Sequence, residues 1–170
     1  MGIQSKPKIG TQVVRDGSSA PISFDIWPFV EKVAPTAFLG GTTNARGDDA
    51  GTSDPFTLFN VTGDVIVSIF GVCTVDLVSA GGGTLEVGVT GNTAGLIAQT
   101  TATAIDLNEV WRHGTPALGV EEIGNFVQKV IVNGLDIIES VGTADITAGN
   151  IYYICGWYPL SYDGSVVAAV

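Results

Sequence analysis

Between Asp64 and Val78 the chain alternates as an extended strand should, yet both sides of the alternation are apolar. Val65, Val67, Ile69, Cys73, Val75 and Leu77 fall on one face; Ile66, Phe70, Val72 and Val78 fall on the other. A sheet with one wet face needs only the first set, so the second predicts a cover on the far side. Comparable β-branched stretches recur from Phe56 onward, bounded by Gly, Asn, Asp or Pro. They predict strands near 56–61, 64–78, 84–90, 95–100, 107–112, 126–132, 135–141 and 151–158. "SAGGG" (79–83) and "VNGLD" (132–136) read as turns. The second is the stronger, because Asn133-Gly134 supplies two residues that tolerate positive φ. Little of the chain holds a helical period, and "GTPALGVEEIGN" (114–125) reads as a longer loop with at most one helical turn. The expected fold is all-β, a β-sandwich or jelly-roll-like barrel.

Residues 1–55 break this rhythm. They hold five of the seven prolines, which prevent a long helix and remove donors from any central ladder. They are nonetheless rich in large apolar side chains: Ile22, Phe24, Ile26, Trp27, Phe29, Phe38 and Leu39. A disordered leader would be poor in aromatics. An extended N-terminal arm lying along a surface satisfies both facts, with a short edge strand as the alternative. The loop "GGTTNARGDDAGTSDP" (40–55) would then separate the arm from a sandwich body at 56–160. In the tail, 161–170, the run "GSVVAAV" is expected to pack on something. The arm residues and the second face of 64–78, Ile66, Phe70 and Val72, are the expected interface set. A chain lacking residues 1–39 is expected to keep a folded body.

Composition sharpens this picture. Hydrophobic residues make up 45% of the 170 positions and charged ones only 14%, well below the ~25% typical of soluble chains. Such a surface is either hidden in an assembly or covered by Thr, Ser and Gly, and the 23 glycines favour the second. The net charge of −10 is unevenly placed: five of the seven Lys and Arg precede residue 47, whereas residues 47–170 carry fourteen acids and two bases. An acidic body argues against nucleic acid, since neutralising phosphates needs clustered bases. The opening "GIQSKPKIGTQ" has no apolar stretch of signal length, and the long uncharged runs are broken by Gly, Asn and Thr, so no membrane partner is expected. Cys73 and Cys155 read as buried free thiols rather than a disulfide.

The search for chemistry finds little. His113 is the only histidine, and no G-x-S-x-G elbow precedes it, so it reads as a surface histidine. The pairs Glu121–Glu122 and Asp48–Asp49 are neighbours on an extended chain and point apart. "RGDDAGTSD" (46–54) offers oxygens for calcium but lacks the D-x-D-x-D-G spacing. "GGGTLEVG" (81–88) lacks the Lys-Ser/Thr of a phosphate loop. Arg46-Gly47-Asp48 spells an integrin-binding tripeptide on a loop expected to be exposed, and reads as a coincidence of composition. No catalytic residue, cofactor site or metal site is expected.

The stretch 57–111, and "EVGVTGNTAGLIAQTTAT" (86–103) within it, resembles small virion proteins of tailed bacteriophages, of the capsid decoration or cement kind. The resemblance implies a structural, non-enzymatic β-rich subunit, made in the host cytoplasm and resident on the capsid surface of the virion. It implies a homotrimer bound to the major capsid protein, bridging capsomers with extended arms. No individual functional residue carries over from it. Two other readings remain open: a tail- or fibre-associated virion protein, and a carbohydrate-binding β-sandwich that uses Trp111, Trp157, Tyr152, Tyr153 and Tyr158 as a rim.

Overall fold

In the computed structural model, which describes residues 29–42, 44–122 and 127–170, the strands form two facing antiparallel sheets. In chain order they are β1 (Phe29–Val33), β2 (Phe56–Thr62), β3 (Val65–Val78), β4 (Thr84–Val89), β5 (Asn92–Thr101), β6 (Glu109–Trp111), β7 (Ala117–Leu118), β8 (Lys129–Ile131), β9 (Ile137–Gly142), β10 (Ala148–Pro159) and β11 (Ser165–Ala168). A single 3-10 turn, Ala102–Ala104, is the only helical element among the described residues. One sheet runs β1-β10-β3-β6-β7, with β8 also paired to β3; the other runs β11-β2-β9-β4-β5.

The pairing is nested: β4 with β5, β3 with β6, β2 with β9 and β1 with β10. It is one long ribbon folded at the Thr90-Gly91 turn, where Val89 faces Asn92 and Gly91 takes φ 85°. Rolling that ribbon so that β3 meets β10 and β4 meets β9 gives the jelly-roll strand order. The wrap explains why most turns cross between sheets. Asn133 (φ 58°) and Gly134 (φ 63°) adopt the expected left-handed pair, but the turn joins β8 in one sheet to β9 in the other rather than closing a hairpin. It is tied down by Gly134 N–H donating to Gly63 O and Asn133 N–H donating to Asp64 Oδ1.

The inner face of β3 is Val65, Val67, Ile69, Cys73 and Leu77, all buried. Gly71 interrupts this row because the Ile151 side chain and the Tyr153 and Trp111 rings occupy its space. A Cβ there would meet Ile151 at 2.8 Å and Tyr153 at 3.1 Å, and Gly71 pairs in register with both Tyr153 and Trp111. Val75, which alternation assigns to the interior, is 54% exposed. The register between β3 and β10 slips opposite Asn150, and this bulge turns Val75 outward.

The chain enters the sandwich earlier than the proline spacing suggests. Phe29–Val33 is an edge strand paired with β10, and Phe38 lies fully enclosed in the core. A cut after residue 39 would therefore remove a strand and a core aromatic. At the other end, the apolar tail packs by becoming β11 on β2, with Val166 buried.

Cys73 and Cys155 are free and buried. Cys73 pairs in register with Ile151 and Cys155 with Ile69. The thiols thus sit four residues apart along β3, roughly 13 Å and beyond disulfide reach. Burial pushes the Cys73 thiol up to about 11 and the Cys155 thiol up to about 12. Both are expected to resist a maleimide at neutral pH in the native protein and to react fully once it is unfolded. Rapid labelling of either cysteine in native protein would show that the core opens there.

Candidate functional site

The outer face of the β1-containing sheet is built by the second apolar set of β3 and by the strands that flank it. Register places Val130, Ile66 and Tyr158 side by side across β8, β3 and β10, and Val110, Val72 and Tyr152 across β6, β3 and β10. Phe70 lies opposite Ile154, which faces Lys32 of β1. Ile66, Phe70 and Val72 are half-buried, while Val30 (56%) and Val130 (60%) are mostly exposed. Lys32 places its ammonium 4.0 Å above the Tyr152 ring, so this cation is itself stacked on an aromatic. A continuous row of β-branched and aromatic side chains on an outward face suits contact with protein rather than water.

The expected interface residues meet different fates. Ile22, Phe24, Ile26 and Trp27 lie outside the described residues. Phe29 stacks on Trp157 at 4.5 Å between centroids, and Leu39 is exposed on its loop. Phe38 corrects the expectation: a fully enclosed core ring cannot be an intermolecular contact. The aromatic rim does not assemble either, because Trp111 and Tyr153 are fully buried and Trp157 nearly so. Tyr152 and Tyr158 alone remain on the outer face.

The carboxylate and histidine candidates are dispersed. His113 is exposed, and its Nδ1 accepts from the Thr115 N–H in a turn. Glu121 pairs with Arg112 at 2.9 Å, while Glu122 is exposed. Asp48, Asp49 and Asp145 bring carboxylate oxygens within 4.8 Å of one another, a grouping of oxygens that could face a hard cation. Desolvation and Asp145 together push the Asp49 carboxyl above its ordinary range. Two of these carboxylates already accept backbone N–H groups: Asp145 from Asp49, and Asp48 from Ala50. Asp54 belongs elsewhere, accepting from the Val141 N–H.

Arg46 is the largest departure from the sequence reading. Far from offering an exposed Arg-Gly-Asp, its side chain is enclosed and bidentate on Glu139, Nε to Oε1 at 2.8 Å and Nη2 to Oε2 at 2.6 Å. Its Nη1 donates to Thr36 O at 2.6 Å, and its guanidinium stacks 3.8 Å from the Phe38 ring. Tyr153 Oη donates to Glu139 Oε2 from the opposite sheet. Gly47 holds φ 104° with its Cα against Ile146 O, so the middle residue of the tripeptide is structural as well. The signal available in the sequence was Glu139 itself, an acid at an inward position between Ile137 and Val141 on a strand. Burial works against the guanidinium, but Glu139 and Tyr153 together more than offset it and raise the Arg46 pKa. Burial, reinforced by the Glu139 charge, pushes the Tyr153 phenol well above its ordinary range. Comparison with protein families, with curated proteins and with solved structures finds no match to the chain.

A raised phenol stabilises the fold fully below tyrosine's ordinary pKa of about 10, and that stability is lost as pH climbs toward the raised folded value. Tyr153→Phe is therefore expected to cost about 1–3 kcal/mol at neutral pH, by leaving Glu139 short of a donor. The same substitution is expected to leave the alkaline absorbance titration of the native protein unchanged. A native-state titration that loses a tyrosine signal in the variant would show that the phenol is not enclosed.

Proposed function

We propose that this chain is a structural subunit of a tailed-phage virion, one that decorates and stabilises the outer surface of the head without catalysis. The observation that carries the reading is the apolar row on the outer face, Val130–Ile66–Tyr158 beside Val110–Val72–Tyr152, on a chain with few charges. Covering a few hundred Å² of such surface at ~25 cal/mol per Å² contributes several kcal/mol, enough to seat a subunit on a shell. The subunit assembles with copies of itself, as a trimer in this reading, and contacts the major capsid protein. Several weak contacts then act together, each raising the effective concentration of the next. Jelly rolls serve in viral capsids and also in lectins, so the strand order alone does not choose between them. Burial of Trp111 and Tyr153 leaves Tyr152 and Tyr158 as the outward members of the aromatic set, which favours the protein-contact reading over a glycan one. The mechanism is mechanical: apolar area shared across a joint between capsomers resists the outward pressure of packaged DNA.

Two measurements test this. Antibody labelling of intact particles is expected to decorate heads; label confined to tails would transfer the reading to a tail or fibre component, and unlabelled particles would reject both. A chain starting at Phe29 is expected to melt cooperatively, because every strand of the described residues is retained, yet to lose co-sedimentation with heads. Undiminished binding by that chain would remove the leader from the mechanism.

A further inference from the structure

The outer faces of the two sheets differ. Asn60 and Glu86 each stand between buried neighbours and so point outward from the β2-containing sheet. The β1-containing sheet instead turns out the apolar row Tyr158–Ile66–Val130. Directly beside that row lies a trough. Val30 of β1 stands opposite Gly156 of β10, and Gly156 opposite Ser68 of β3, so two adjacent outward positions carry no side chain or a short one. Ile66 and Phe70 flank Ser68 on the outward side of β3. Ser68 is only 2% exposed, and its Oγ has no hydrogen-bond partner among the described residues. A buried hydroxyl without a partner on an outward face calls for a polar group from whatever lies over it.

We infer that residues 22–27 of the same chain cross this trough and cover the row beside it. The segment holds Ile22, Phe24, Ile26 and Trp27 against a single charge, Asp25. The point where the leader joins the sheet selects it as occupant. β1 begins with Phe29 opposite Trp157, one residue from Tyr158, so the chain before Phe29 starts at the end of the row. Pro28 has no N–H, so turning away from β10 there gives up no ladder donor. From β1 over β10 and β3 to β8 is three strand spacings, about 14 Å, which about four or five extended residues span at ~3.3 Å each. Counted back from Pro28, that length brings Ser23 to β8. Main-chain carbonyls of an extended segment are acceptors for the Ser68 hydroxyl. Charge agrees with the same choice. Residues 1–28 carry three bases and two acids and residues 29–170 four bases and fifteen acids, so leader and body attract. A segment tethered this close to its site has an effective concentration of about millimolar, and so prevails over the leader of a second copy at micromolar protein. The contact does not depend on the virion role. It leaves Val110–Val72–Tyr152, with the leader laid beside it, as the surface offered to other polypeptides.

Cross-linking of the full chain with a short bis-maleimide tests this, since both native thiols are buried and the links can be located by peptide mass. Ser23→Cys combined with Val130→Cys changes a leader residue and an exposed strand residue, leaving the core untouched. That pair is expected to link within one chain and to run as a monomer on a denaturing gel. Ser23→Cys combined with Asn60→Cys, on the outer face of the other sheet, is expected to link at least about tenfold more slowly. Linked dimers from the first pair would give the trough to a second copy and overturn the same-chain contact. No link from the first pair, or equal rates for the two pairs, would overturn it as well. Particle labelling is independent of this result. A chain that links to Val130 yet labels no particle keeps the contact and loses only the decoration role.

Discussion

Two ionised side chains taken out of water must find each other, and in this protein that requirement fixes the region where the fold closes. Arg46 and Glu139 are both enclosed, and neither would be tolerated there alone. Glu139 stands on β9 of one sheet, and Tyr153, which donates to it, stands on β10 of the other. Arg46 arrives from the long connection between β1 and β2, which would otherwise be free to wander over the surface. Its bidentate pairing drags that connection inward, where Leu39 N–H donates to Arg46 O, Gly40 N–H to Ile146 O and Ile146 N–H to Gly47 O. Gly40 and Gly47 follow from this: a Cβ at either would lie within 2.3 Å of a carbonyl oxygen. One buried pair thus determines the path of the connection, two of its glycines and the way the two sheets are tied.

That closure bears on function by consuming the residues that first look functional. Arg46 and Gly47 of the Arg-Gly-Asp sequence, the aromatic ring of Phe38 and two of the candidate glycan-stacking rings are all spent inside. Among the described residues the outward surface keeps an apolar row on one sheet face, which suits contact with other polypeptides. A sandwich stapled across its core would serve the structural role proposed above.

Strands were readable where a single local pattern governs them. The double-sided alternation at 64–78, the Asn133-Gly134 turn and the scarcity of helix all follow from residue type and spacing. Three things were not readable, each for a physical reason. β1 hides between prolines because an edge strand tolerates missing donors on its outer side, so Pro28 and Pro35 can flank it. Val75 follows the alternation in sequence but not in space, since the bulge depends on how β10 pairs with it. Arg46 and Glu139 lie 93 residues apart, and no local rule joins them. Alternation located Ile66, Phe70 and Val72 on the outer face, whereas Phe38 read as an arm residue because it lies between Pro35 and a Gly-Gly pair in a stretch with no sustained period.

The most direct test of this dependence is a double-mutant cycle on Arg46 and Glu139 by urea denaturation of the full chain. Arg46→Met and Glu139→Leu are each expected to cost about 3–5 kcal/mol, because each strands a buried charge. The variant carrying both is expected to lose far less than the sum, since no charge is left unpaired. Additive losses, or single variants within the error of wild type, would show that the pair does not hold the connection in place.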